Sequence, residues 1–141
     1  MKKSLVLTII LTAALVIVAA CTKSTNVSTG KPIATVAVNN NLTATLSNAT
    51  GQLKTGDQEV TLAFTDSSGK PVDVGAVSLN FHMPAMGSMA AMNDAVTFTT
   101  TSTPGVYSGK VNIGMAGEWQ GQLAYEGRAG TGKATFSVTA R

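Results

Sequence analysis

From Leu42 onward the chain alternates apolar and polar residues in short runs broken by turn formers. "LTATLS" (Leu42 to Ser47) and "EVTLAFT" (Glu59 to Thr65) have the two-residue period of half-buried strands, and Gly51 to Asp57 separates them. "DSSGKP" (Asp66 to Pro71) is a reversal, because Gly and Pro supply the backbone angles a turn needs. Five more runs follow: "AVSLNFHM" from Ala76, "AVTFTTT" from Ala95, "GVYSGKVNI" from Gly105, "EWQGQLAYEG" from Glu118 and "KATFSVTAR" from Lys133. These seven runs, spaced by about ten residues, carry no helical periodicity. They predict an all-β fold, an antiparallel sandwich of about seven strands.

The same alternation selects the core. Val77, Leu79, Phe81 and Met83 share one face of their strand, Trp119, Leu123 and Tyr125 one face of another, and Phe136 lies with Val138 on the last. Aromatics are few, so burial of Trp119 and the phenylalanines is expected to dominate stability, at about 1.5 to 3 kcal/mol for each fully buried large side chain.

The first twenty residues follow a different pattern: Lys2 and Lys3 precede an uncharged apolar run, Leu5 to Ala20, that stops at Cys21. That is the layout of a signal peptide over residues 1–20, and "VAAC" (Val18 to Cys21) resembles a bacterial lipobox, in which cleavage precedes a cysteine that becomes acylated. Cys21 is then a lipid anchor to a membrane in the cell envelope and not a thiol nucleophile or metal ligand, since two or three acyl chains hold firmly. Thr22 in place of an aspartate favours the outer membrane where the cell has one. Residues 21–41, rich in Ser, Thr and Asn, have the composition of a tether reaching roughly 25 Å, although Ile33 to Val38 is β-prone and also suits an edge strand. The sandwich domain is expected over residues 42–141.

Charge changes the picture once the leader is removed. The whole chain carries 10 basic and 7 acidic residues, and the loss of Lys2 and Lys3 leaves near balance, which removes any electrostatic case for a nucleic-acid partner. Catalytic constellations are missing as well. There is one histidine, no serine in a strand-turn-helix elbow, and Asp57, Glu59, Asp66, Asp73 and Asp94 fall in or beside turns without paired spacing. "GRAGTGKA" (Gly127 to Ala134) imitates a phosphate loop, but Ala134 stands where a hydroxyl is needed and a strand follows in place of a helix, so a hairpin is expected. Asn26, Asn41 and Asn48 head glycosylation sequons that composition explains. An enzyme is not expected.

The chemistry that stands out is "HMPAMGSMAAM", His82 to Met92, where four methionines spaced three apart follow the only histidine. His82 and Met83 are adjacent on a strand, so Met83 points inward and His82 outward, and Pro84 ends the ladder. The three-residue period after it suggests a loop with a helical or 3₁₀ turn. Thioethers with an imidazole form a soft, uncharged ligand set that suits Cu(I) or Ag(I), and methionine, unlike cysteine, forms no disulfide outside the cytoplasm. The candidate ligands are His82, Met83, Met86, Met89 and Met92, with Met115 if its loop reaches the same end. Methionine is also an adaptable apolar filler, so a loop that plugs the sandwich or contacts a protein partner stands as the alternative.

"FHMPAMGSM" followed by "MAGEW" (Met115 to Trp119) resembles the YtkA-like domain, related to FixH-type envelope proteins, over about Asn41 to Thr139. The resemblance implies an immunoglobulin-like sandwich and association with copper or heavy-metal handling, often in lipoproteins or beside efflux components; the expected partner is an envelope metal-transport or assembly protein. Met83, Pro84 and Met86 match its turn, and Met115, Gly117 and Trp119 its corner, while Met89 and Met92 extend the pattern. Glu118 and Trp119 lie in that corner as candidate supports for the site.

Overall fold

The computed structural model describes residues 30–141. The leader, Cys21 and the outer part of the tether lie outside them. The described residues form nine strands: β1 Lys31–Asn39, β2 Leu42–Asn48, β3 Gly56–Asp66, β4 Ala76–Met83, β5 Met92–Ala95, β6 Thr97–Thr100, β7 Val106–Ile113, β8 Gly117–Gly127 and β9 Gly130–Ala140. One sheet has the order β1-β2-β3-β7-β6 and the other β5-β4-β8-β9, and every strand pairing is antiparallel. With β1 set aside, these are the orders of the immunoglobulin ABED sheet and of its CFG sheet extended by C′.

The expected sandwich is present, with two strands more than the seven runs. Residues 31–39 resolve the ambiguity of the tether: they are an edge strand, in register with β2 from Lys31↔Asn48 to Asn39↔Leu42. The run expected as one strand from Ala95 is β6, preceded by Ala95 as the last residue of β5, a strand of the other sheet that falls mostly in the expected loop. Val96, buried between them, donates its amide to the Leu79 carbonyl at 2.9 Å while the chain crosses from β5 to β6. Alternation alone does not reveal a strand that changes sheets. The expected hairpin at Gly127 to Ala134 is the β8–β9 turn, closing at Gly127↔Gly130.

Leu79, Phe81, Met83, Trp119, Leu123, Tyr125 and Val138 are buried as expected, with Val77 and Phe136 packed partly buried against them. The facing sheet supplies Leu46, Val60, Leu62 and Phe64, and Phe64 meets the Tyr107 and Tyr125 rings edge-on, with centroids 6.1 and 5.6 Å apart. Three aromatic residues pair in register with glycines: Phe136 with Gly121, Tyr125 with Gly132 and Phe98 with Gly109. A Cβ on those glycines would stand 2.4, 2.5 and 2.8 Å from the respective rings, so each ring lies across its partner's bare backbone. The few aromatics thereby cover strand positions that have no side chain of their own. At the far turn, Asp66 accepts from Ser68 Oγ and the amides of Ser68 and Lys70, bonds that hold its carboxyl below the usual carboxylate range.

Gly121→Ala is expected to cost about 1 to 3 kcal/mol by forcing the Phe136 ring aside. In a Phe136→Ala background the penalty should largely vanish, a non-additivity that urea unfolding of the two single variants and the double variant measures.

Candidate metal site

The site is built on the end of β4. His82 and Met83 are consecutive in an extended strand, and the structure sends them to opposite faces as expected: Met83 is 2% exposed in the core, while His82 stands half-buried on the outer face. His82 pairs in register with Asn93 of β5 on one side and Gln120 of β8 on the other. Its Nδ1 lies 2.9 Å from Asn93 Oδ1, and that oxygen also accepts from Asn80 Nδ2 at 3.2 Å.

The segment after Pro84 is not the helical or 3₁₀ turn that the spacing suggested. Met86 and Met89 exchange backbone hydrogen bonds at 3.1 and 2.9 Å across Gly87 and Ser88, and Gly87 takes φ 56°. A positive φ at the first of two central residues and not the second is the sign of a type II′ hairpin turn, which glycine enters without steric cost. The three-residue period has a different origin: the ladder pairs Met83 with Met92 and the bridge pairs Met86 with Met89, so the four methionines form two cross-strand pairs about one turn. Three residues along extended chain is an odd step and reverses the face. One pair therefore faces the core and the other faces out.

Met92 is partly buried beside Met83, and Met115 packs against the same core edge from the β7–β8 loop. The Met92 and Met83 methyls lie 2.6 and 3.0 Å from where a Cβ on Gly114 or Gly117 would stand, so they bracket the Met115 loop. That loop is tied at both ends: Asp94 Oδ2 accepts from the Gly114 amide at 2.9 Å, and the Trp119 indole donates to the Met115 carbonyl at 3.1 Å. The outer pair is open instead. Met86 and Met89 are 53% and 42% exposed, the large hydrophobic side chains that the described residues leave exposed. Residues 84–91 are all exposed and uncharged.

An open cleft of about 500 Å³ lies beside the hairpin, lined by His82, Pro84, Met86, Glu118, Trp119, Gln120 and Ser137. The structure thus brings His82 and Met86 together, with Met89 next to Met86 across the turn, and places Met83, Met92 and Met115 on the core side. Glu118 is exposed at the cleft wall, and Trp119 is a buried support whose bond holds the Met115 loop. Asn80, Asn93 and Asp94 are partners the sequence did not reveal, because β5 was hidden inside an expected loop and its register was unknown. No three His, Cys, Asp or Glu side chains converge among the described residues, and the soft donors at the cleft are the Met86 sulfur and one imidazole, beside the oxygens of Glu118, Gln120 and Ser137.

An antiparallel immunoglobulin-type sandwich with a methionine hairpin beside its lone histidine is the class of protein that fold and site define. The chain belongs to the YtkA-like family, whose model matches residues 36–124, from within β1 into β8. Neither the curated proteins nor the solved structures compared with the chain include a significant match.

Trp119→Phe should cost about 2 kcal/mol, from the lost indole bond and unfilled volume. Urea unfolding followed by circular dichroism gives the stability, and amide exchange across residues 114–116 should quicken as the loop loosens.

Proposed function

We propose that the protein is an envelope lipoprotein, anchored through Cys21, that binds Cu(I) or the similar soft ion Ag(I) at the outer face of the β4–β5 hairpin and acts as a carrier, buffer or delivery module. The observation that carries this reading is the shared cleft: an imidazole and the exposed thioether of Met86 line it, with Met89 paired to Met86. Thioether sulfur is neutral at every pH and polarisable, a match for a soft monovalent ion and a poor one for Ca²⁺ or Mg²⁺. Met83, Met92 and Met115 support the hairpin from the core side. An ion held by exposed donors can accept a partner's ligands before releasing its first ones, so transfer to a transporter or assembly protein needs no catalysed step.

The end of the sandwich that holds the hairpin also receives the chain. Lys31 lies opposite Asn48, whose strand end, with the starts of β3 and β8, forms the same rim as Gly117. About ten residues separate Cys21 from Lys31, at most roughly 35 Å of extended chain. An anchor at Cys21 keeps the hairpin near the leaflet, where a membrane-embedded partner is within reach.

The uncharged, exposed 84–91 segment favours a second reading, a docking surface that contacts a partner through methionine without metal. Titration of the purified protein with Cu(I) against a chromophoric chelator separates the two. The metal reading predicts stoichiometric binding that falls at least about a hundredfold in Met86→Leu/Met89→Leu, roughly 3 kcal/mol, and survives in Met83→Leu. Leucine keeps the bulk and removes the sulfur, so equal binding by the double variant and the wild type would refute sulfur ligation.

A further inference from the structure

The outer face of β4 and β5 fixes more than the position of His82. Asn80, His82 and Asn93 form a short chain of hydrogen bonds in which one atom, Asn93 Oδ1, stands 3.2 Å from Asn80 Nδ2 and 2.9 Å from His82 Nδ1. An amide oxygen can only accept, so Nδ1 must carry the ring proton. In the neutral ring the other nitrogen, Nε2, then holds a lone pair, and it has no hydrogen-bond partner among the described residues. With Nδ1 turned toward β5, Nε2 lies on the far side of the ring from Asn93. His82 and Met86 both line the cleft at this point.

We infer that Asn93 is a positioning residue that holds His82 as the Nδ1–H tautomer and presents Nε2 as the nitrogen donor to a soft metal ion, with Met86 and Met89 as its sulfur neighbours. This rests on the proposed metal site and adds to it which nitrogen binds and what selects it. A ligating imidazole whose other N–H is held in this way keeps its orientation and is a stronger donor, and loss of such a partner costs about 10- to 100-fold in affinity. The arrangement also explains why the hairpin needs its register. His82↔Asn93 is one step from Met83↔Met92, so the ladder that seats the buried methionine pair aligns the amide with the imidazole.

The chain has one histidine, so its imidazole nitrogens give a single unambiguous set of signals in long-range ¹H–¹⁵N NMR of the labelled, metal-free protein with the ring neutral. The expected pattern is Nδ1–H in the wild type and in Asn93→Asp, whose carboxylate can only accept, and a shift toward the Nε2–H form preferred by solvated imidazole in Asn93→Ala. Ag(I) should then move the Nε2 resonance, with affinity reduced about 10- to 100-fold in Asn93→Ala and retained in Asn93→Asp. An Nε2–H ring in the wild type, with the Asn93 amide turned over, would overturn the assignment, as would an Asn93→Ala spectrum identical to the wild type. A confirmed Nδ1–H ring that Ag(I) leaves unmoved would instead remove His82 from the metal site while the hydrogen-bond assignment stood.

Discussion

The candidate site depends on the parity of an extended chain folded back on itself. Around Gly87 and Ser88 the backbone places Met86 opposite Met89 and Met83 opposite Met92. Because the two pairs are three residues apart, they face opposite sides of the hairpin, one into the core and one into solvent. His82 precedes Met83 by one residue and so shares the outer side with Met86 and Met89. A spacing of two would have put all four sulfurs on one side of the hairpin. The observed spacing seats the hairpin with one pair and leaves the other beside an imidazole.

The rest of the sandwich serves that hairpin. The inner pair grips the Met115 loop at Gly114 and Gly117, which Asp94 and Trp119 fasten from either side, so the β7–β8 corner and the hairpin form one packed edge. Below it, Phe136 and Tyr125 lie across glycines in the neighbouring strand, and these rings help fix the register of β8 against β9. Register matters at the site because Gln120 and Glu118 of β8 form the other wall of the cleft. The described chain enters at this rim as well, the arrangement on which the proposed anchoring role of Cys21 draws.

Much of the fold was legible because half-buried strands advertise themselves by alternation. The faces of β4 and β8 were read residue by residue, down to Met83 inside and His82 outside. What escaped was information that alternation does not contain. Val96 turns the chain from one sheet to the other at the second residue of the expected run, which left β5 in the expected loop, and a periodicity of three in a short Gly-containing segment reads equally as a turn of helix or as a hairpin seen end to end. Gly87 and Ser88 at its midpoint were the signal for the hairpin, and reading the methionines as pairs about them would have found β5, and with it Asn93. The chemistry of the ligands was visible in residue type alone, whereas their division between core and surface required the pairing.

The central claim is that the outer methionine pair and His82 bind a soft ion through sulfur and nitrogen. X-ray absorption of the purified protein loaded with one equivalent of Cu(I) tests it most directly. The account predicts a cuprous edge with copper–sulfur scattering and one nitrogen scatterer, the sulfur contribution disappearing in Met86→Leu/Met89→Leu. A spectrum with nitrogen and oxygen scattering only, unchanged by that substitution, would contradict it.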